Sequence, residues 1–283
     1  MQSGKPSRTA WAAAVHRAAH QIAEQGRIFS DPLALRILGK DGEAAARESA
    51  ADPARRRMRI FIAVRTRLAE DWLAAAVERG VRQLVVLGAG LDTYAYRSPF
   101  ADRLRVFEVD HPATQAWKRE RLQAAGIGAP NWLSFAPVDF ERETLSAGLE
   151  AAGFDQGRQS FFMWLGVVPY LSEETIWSTL SFIAGLPNGA HVVFDYSNPP
   201  DQLAPEARAY HDRRAARVEA AGESWVSYFD AAELRAKLIS VGFTPIEDLG
   251  PRQIAELYFP SRAGSAGDKG GHILRAATRD AVA

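Results

Sequence analysis

Leu84-Val85-Val86-Leu87-Gly88-Ala89-Gly90-Leu91-Asp92-Thr93 decides the fold, because an unbroken apolar run of four stops at a Gly-x-Gly turn. A strand exposed on one face alternates apolar and polar residues, whereas a strand covered on both faces does not, so this run predicts a parallel strand buried in an α/β sheet. Two glycines at its end let the backbone turn sharply and let a ligand reach main-chain amides. The third glycine of a dinucleotide fingerprint is missing. A pyrophosphate needs the tight helix approach that glycine permits, and an amino-acid tail does not, so Asp92 here points away from a nicotinamide cofactor and toward a nucleoside bearing an amino acid. A purely structural turn is the other reading of the same glycines.

Outward from this turn, apolar runs recur at Leu104 to Val109, Leu133 to Val138, Phe161 to Val168 and Val192 to Tyr196, with late strands at Phe243 to Leu249 and His272 to Ala276. Amphipathic segments such as Thr114 to Ala125 and Glu173 to Ala184 separate them, which implies right-handed βαβ crossovers. Residues from about Thr9 to Arg79 read as helices broken at Ser30-Asp31-Pro32 and Asp52-Pro53, where aspartate and proline suit helix starts. The expected organisation is a helical cover over 1–80 and a sheet domain over 81–283, with a charged lid insertion at about 200–229 containing the helical stretch Pro205 to Ala221.

Composition bounds the rest. A chain of 283 residues with 47% hydrophobic content buries one substantial core, and lysine plus arginine match aspartate plus glutamate at 34 each. Without a net positive field, nucleic acid and anionic membrane are not expected partners. The absence of cysteine excludes disulfides and thiolate zinc sites and agrees with a cytoplasmic setting. No metal site is expected. Met1 to Trp11 is polar with no apolar run behind it, and about 18 consecutive apolar residues occur nowhere, so neither export nor a membrane span is expected.

The candidate site is read from strand ends. Asp110 closes Val106-Phe107-Glu108-Val109-Asp110 about 20 residues past the glycines, where a carboxylate accepts both hydroxyls of a ribose. Glu108 lies on the same face one pleat deeper, and His111-Pro112 makes a helix N-cap a second role for Asp110. Asp139-Phe140 closes the third run, placing an acceptor for an exocyclic amine beside an aromatic cover; a turn aspartate beside a core phenylalanine is the alternative. In the cover, Phe61, Arg65, Leu68 and Trp72 form one helical stripe, and the Arg65 guanidinium on that apolar face calls for a carboxylate, either a ligand's or the protein's own. Arg67 and Asp71 read as an exposed i,i+4 pair, and Arg55-Arg56-Arg57 with Arg59 as a solvated face. The six histidines show no partner motif.

Taken together, Ser7-Arg8-Thr9-Ala10, Arg27-Ile28-Phe29-Ser30-Asp31-Pro32-Leu33-Ala34, Arg65-Thr66-Arg67, the Gly88 to Thr93 turn with Tyr96-Arg97, and Phe107 to Pro112 resemble the leucine carboxyl methyltransferase family. They are most similar to its bacterial O-methyltransferase branch of secondary metabolism. The resemblance spans Ser7 to about Phe259. It implies a class I methyltransferase fold, a doubly wound seven-stranded sheet, and S-adenosylmethionine as cofactor. The family's contacts would fall on Arg65 for the methionyl carboxylate, on the Gly88-Ala89-Gly90 turn with Asp92 for the methionine backbone, on Asp110 for ribose, and on Asp139 with Phe140 for adenine. Where the family usually has a glutamate at the end of the fourth strand, this chain has Leu165, within Trp164-Leu165-Gly166-Val167-Val168-Pro169-Tyr170-Leu171.

The expected reaction is O-methylation of a carboxylate or hydroxyl on a small molecule. A carboxylate acceptor with a pKa of about 4 is already ionised at neutral pH, which would account for the lack of a visible base, and no catalytic residue is assigned. Tyr170, Tyr196 and Tyr210 are candidates for shaping the acceptor pocket. A nicotinamide-dependent oxidoreductase and a non-catalytic nucleoside-binding protein are the competing classes.

Overall fold

The computed structural model describes residues 7–139, 143–278 and 281, and divides the chain into two compact units, Met1–Phe154 and Asp155–Ala283.

The first unit opens with three helices, α1 (Arg8–Ala23), α2 (Gly39–Ala51) and α3 (Arg56–Glu78). It continues with β1 (Gln83–Leu87), β2 (Arg105–Asp110), α4 (Pro112–Ala124), β3 (Leu133–Pro137) and α5 (Leu145–Ala151). Ser7 starts α1 by accepting the Ala10 amide, and the Asp52 side chain accepts the Ala54 amide ahead of Pro53, as capping chemistry predicts. At Asp31-Pro32 the expectation of a helix start fails. Residues 32–38 form turns, and buried Asp31 is drawn into ion pairs instead. The strands lie parallel in the order β3-β2-β1, every β1 residue is buried, and Val85, Val106 and Phe107 form the dry centre.

The second unit contains β4 (Ser160–Trp164), α6 (Glu173–Ala184), β5 (Ala190–Ser197), α7 (Pro205–Ala220), α8 (Ala231–Ser240), β6 (Phe243–Leu249), α9 (Pro251–Tyr258) and β7 (Gly271–Thr278). Its strand order is β4-β5-β7-β6, with β4 and β5 parallel and β7 antiparallel to both its neighbours. The fourth strand ends at Trp164 rather than Val168, because Gly166 takes a φ of 74° and Val168–Tyr170 winds into a 3-10 turn. Pro245 lacks an N–H for pairing, and the register of β6 shifts between Phe243 and Ile246 beside it, as suits an edge strand. No residue of α7 is fully buried.

Among the described residues, seven strands with their helices make the α/β class expected from the sequence. Among the described residues no helix is long and apolar enough to cross a membrane, and no cluster of histidine, aspartate or glutamate has metal-ligand grouping.

Candidate functional site

Parallel pairing brings the strand tips of the first unit to one edge. Leu87 stands opposite Val109, so Gly88 follows at the level of Asp110; Asp110 in turn stands opposite Pro137, two residues before half-buried Asp139. Gly88 and Gly90 have φ values of 65° and 46°, a backbone region that disfavours side chains, and this explains glycine at both positions. The Ala89 amide donates to the Val109 carbonyl at 3.0 Å, locking the turn onto β2.

Asp110 is the hub. Its Oδ2 accepts the Gly90 amide at 2.6 Å and its Oδ1 accepts the His111 amide at 2.7 Å. Burial raises its carboxyl above the ordinary aspartate value, and the two amide donors pull in the opposite direction. A carboxylate has about four lone-pair directions, so two amides leave two more for a vicinal diol. The cap role weighed for Asp110 falls to its neighbour, since the His111 Nδ1 accepts the Ala113 amide at the start of α4.

The turn rests on a buried ionic cluster that the sequence did not disclose. Arg17 of α1 donates through Nη2 to the Leu91 carbonyl and pairs with Asp31 at 2.9 Å, while its Nη1 lies 3.8 Å from Asp92. Thr93 Oγ1 donates to Asp31 Oδ2 at 2.7 Å, and Arg97 donates to Thr93 at 3.0 Å while holding both oxygens of Glu70. Asp92 Oδ1 accepts the Tyr94 amide at 2.8 Å, so that carboxylate shapes the turn. A Cβ placed on Gly90 would lie 2.9 Å from the Ala10 Cβ, which shows how closely α1 seats against the glycines. Asp31 and Arg97 do occur in the quoted family phrases, and that is the signal that marks them.

One pleat below Asp110, Glu108 pairs with Lys118 at 2.7 Å with both side chains 1% exposed. Burial pushes the Glu108 carboxyl up to about 7 even with Lys118 beside it. Arg65 lies on α3 and is nearly buried, together with Leu68 and Trp72 of its stripe. Arg67 and Asp71 form the exposed pair expected, at 2.7 Å. Arg59 corrects its reading as a solvated residue: it is 3% exposed, gripping both Glu24 oxygens and the Ser49 carbonyl. Phe140 lies outside the described residues.

Within the second unit, Leu165 is half-buried just past β4, and the following amide, that of Gly166, donates to the Asp195 carboxylate of β5 at 2.5 Å. Tyr170 and Tyr210 are half-buried. Tyr196 is buried and donates its hydroxyl to Asp248, which His272 also meets at 3.0 Å, so that phenol is committed within the sheet. Three of the histidines, which carry no partner motif in the sequence, are held by side chains distant or adjacent in the chain: His20 meets Glu24, His272 meets Asp248 and Asn198, and His211 meets Asp212 and Tyr228.

Compared with known proteins, residues 10–184 match a family described as leucine carboxyl methyltransferase. Over 185 residues the chain is 36% identical to YktD of Bacillus subtilis strain 168, named as a candidate S-adenosyl-L-methionine-dependent methyltransferase, covering 65% of this chain and 60% of YktD. A similarly named protein of Saccharopolyspora erythraea is 32% identical over 188 residues, covering 63% of this chain and 62% of that one. The chain thus spans about three-fifths of the length of the curated relatives it matches. Among solved structures, the CurJ carbon methyltransferase superposes with a TM-score of 0.53 at 15% identity, covering 96% of this chain and 67% of CurJ, which establishes a shared fold.

Proposed function

Since the chain belongs to the leucine carboxyl methyltransferase family, we propose that it transfers a methyl group from S-adenosylmethionine to an oxygen of a small molecule, a carboxylate or a hydroxyl, in secondary metabolism. The observation that carries this reading is the Asp110 carboxylate, which binds the Gly90 amide at 2.6 Å and retains lone pairs for a ribose diol. The residues fit the cofactor. Gly88, Ala89 and Gly90 offer a side-chain-free turn for the methionine portion, Asp92 shapes that turn, and Asp139 stands one strand over with an acceptor for the adenine amine. Arg65 supplies a guanidinium for the methionyl carboxylate, and Phe140 the aromatic cover.

Bound there, the cofactor supplies an electrophilic methyl on a sulfonium. The protein's share is then alignment and exclusion of water, because in-line displacement needs no covalent intermediate with the chain. Tyr170 and Tyr210 are retained as candidate walls of the acceptor site. The test is retention of methyl-tritiated S-adenosylmethionine by the full chain, with release of S-adenosylhomocysteine when an acceptor is supplied. Wild type retains label and Asp110→Ala loses it; equal retention by both rejects the reading.

A further inference from the structure

In the first unit, α4 turns a charge toward the sheet. Thr114, Lys118 and Leu122 recur every four residues along this helix and are all buried, so a lysine stands in the middle of the inward stripe. Its ammonium lies 2.7 Å from Glu108 of β2, and both side chains are 1% exposed. The neighbouring Gln115 donates through Nε2 to the Glu108 carbonyl at 2.7 Å, tying α4 to that strand. Replacing a buried ion pair by apolar residues of similar volume is often neutral or stabilising, so stability alone does not account for this one.

The place of the pair relative to Asp110 supplies the account. Residues two apart on a strand share a face, which puts Asp110 about 7 Å along β2 from Glu108. Both Asp110 oxygens already accept backbone amides, Oδ2 that of Gly90 at 2.6 Å and Oδ1 that of His111 at 2.7 Å. A neutral acid would carry a hydrogen on one of these oxygens and lose a lone pair, whereas a carboxylate accepts at every position. The group is 9% exposed, so little water is left to solvate its charge. Burial raises its carboxyl, and the two amides, then Lys118 and His111, pull it back down. The charged and titratable groups around the Glu108 and Asp110 carboxyls are Lys118, His111 at the cap of α4, and Asp92 of the glycine turn with Arg17 3.8 Å behind it. Lys118 itself faces Glu108 and, at 5.6 Å, the Tyr96 ring.

We propose that Lys118 is a positioning residue for the cofactor: from α4 its ammonium holds Asp110 as a carboxylate, the form in which that tip accepts two backbone amides and a ribose diol together. The proposal rests on the methyl-transfer reading and deepens it by naming the group that keeps its central acceptor charged. Glu108 anchors the ammonium. With its own carboxyl pushed up to about 7 by burial, Glu108 is largely neutral on the acid side, and there the Lys118 charge is left to act on Asp110. Residue 118 therefore governs the tip, and residue 108 does not. A pair that served packing alone would behave otherwise, because loss of either partner would then weaken binding alike and at every pH.

The experiment is calorimetric titration of the full chain with S-adenosylhomocysteine at about pH 5.5 and about pH 8, for wild type, Lys118→Met and Glu108→Gln. The ratio of affinity at the acid pH to that at the alkaline pH is expected to fall about 10-fold in Lys118→Met, the size that loss of one nearby opposite charge produces. Glu108→Gln keeps the wild-type ratio. If Lys118→Met alone does not fold, the double variant Lys118→Met with Glu108→Gln removes both charges together and shows the same fall. Carbon-13 NMR of the aspartate carboxyls, with Asp110→Asn assigning the signal, reads the tip without cofactor. Its titration midpoint moves to higher pH in Lys118→Met and stays in place in Glu108→Gln. A midpoint or an affinity ratio indifferent to residue 118, or one moved equally by Glu108→Gln, overturns the proposal. A wild type that binds no S-adenosylhomocysteine rejects the methyl-donor reading and leaves the Asp110 titration to decide whether Lys118 holds the carboxylate.

Discussion

Asp110 Oδ2 lies 2.6 Å from the amide nitrogen of Gly90, so the tip of β2 holds the turn that follows β1 by a charge-assisted hydrogen bond. Substituting Asp110 thus changes two things, the anchor of the turn and the acceptor for a ribose. Asp110→Asn keeps the shape but removes the charge, at about 1.5–3 kcal/mol for bonds to a charged partner. We expect S-adenosylhomocysteine affinity to fall about 10- to 100-fold by calorimetry, while circular dichroism stays native. Unchanged affinity would remove Asp110 from the binding site.

Gly90 combines a φ of 46° with a 2.9 Å approach to Ala10. Gly90→Ala brings backbone strain of about 1 kcal/mol and forces α1 away from the turn. Lower thermal stability together with weaker S-adenosylhomocysteine binding is the expected pair of results. If affinity holds while stability drops, the contact between α1 and the turn has no part in binding.

Arg17 joins α1 to the Leu91 carbonyl and to Asp31, both inside the fold. Breaking a buried ion pair by removing one partner costs about 3–5 kcal/mol. Arg17→Met is expected to lower the unfolding free energy, measured in denaturant, by an amount in that range, whereas Arg67→Met, at an exposed pair, changes it by less than about 1 kcal/mol. Equal effects would mean that burial of the Arg17 cluster is unimportant.

Glu108 gives a pH prediction with a definite sign. Its folded-state pKa is raised, to about 7, so between roughly pH 4.5 and 7 the native state keeps a proton that the unfolded chain has lost. Stability from this group is therefore present at the acid end and declines as pH rises through 7. Glu108→Gln imitates the protonated carboxyl beside Lys118 and lacks this slope. Wild type should lose stability relative to the variant from pH 5 to pH 8 in urea unfolding; parallel curves would show that Glu108 titrates at its ordinary value.

Much of this site was legible because strand ends carry local signals. The Leu84 to Leu87 run marked β1, its glycines marked the turn, and spacing marked the acidic tips at Asp110 and Asp139. What escaped was set by tertiary contact. Asp31-Pro32 looks like a helix start, yet Arg17 of α1 and Thr93 beyond β1 capture the carboxylate from distant parts of the chain. Arg59 sits in a basic run that reads as solvated, and only its position opposite Glu24 buries it. The end of β4 was misplaced because Gly166 interrupts an apolar run that periodicity alone would extend. The pairing of His211 with Tyr228 depends on where the segment after α7 returns across β4 and β5, which spacing does not reveal.

The central claim is that the glycine turn after β1 and the acidic tips of β2 and β3 bind one adenosine carrying a methionine. Isothermal titration of the full chain with S-adenosylhomocysteine, repeated with NAD as competitor, tests it most directly. Saturable binding at one site per chain is predicted, lost in Asp110→Ala and indifferent to NAD. Displacement by NAD, or no heat of binding from S-adenosylhomocysteine, would contradict it.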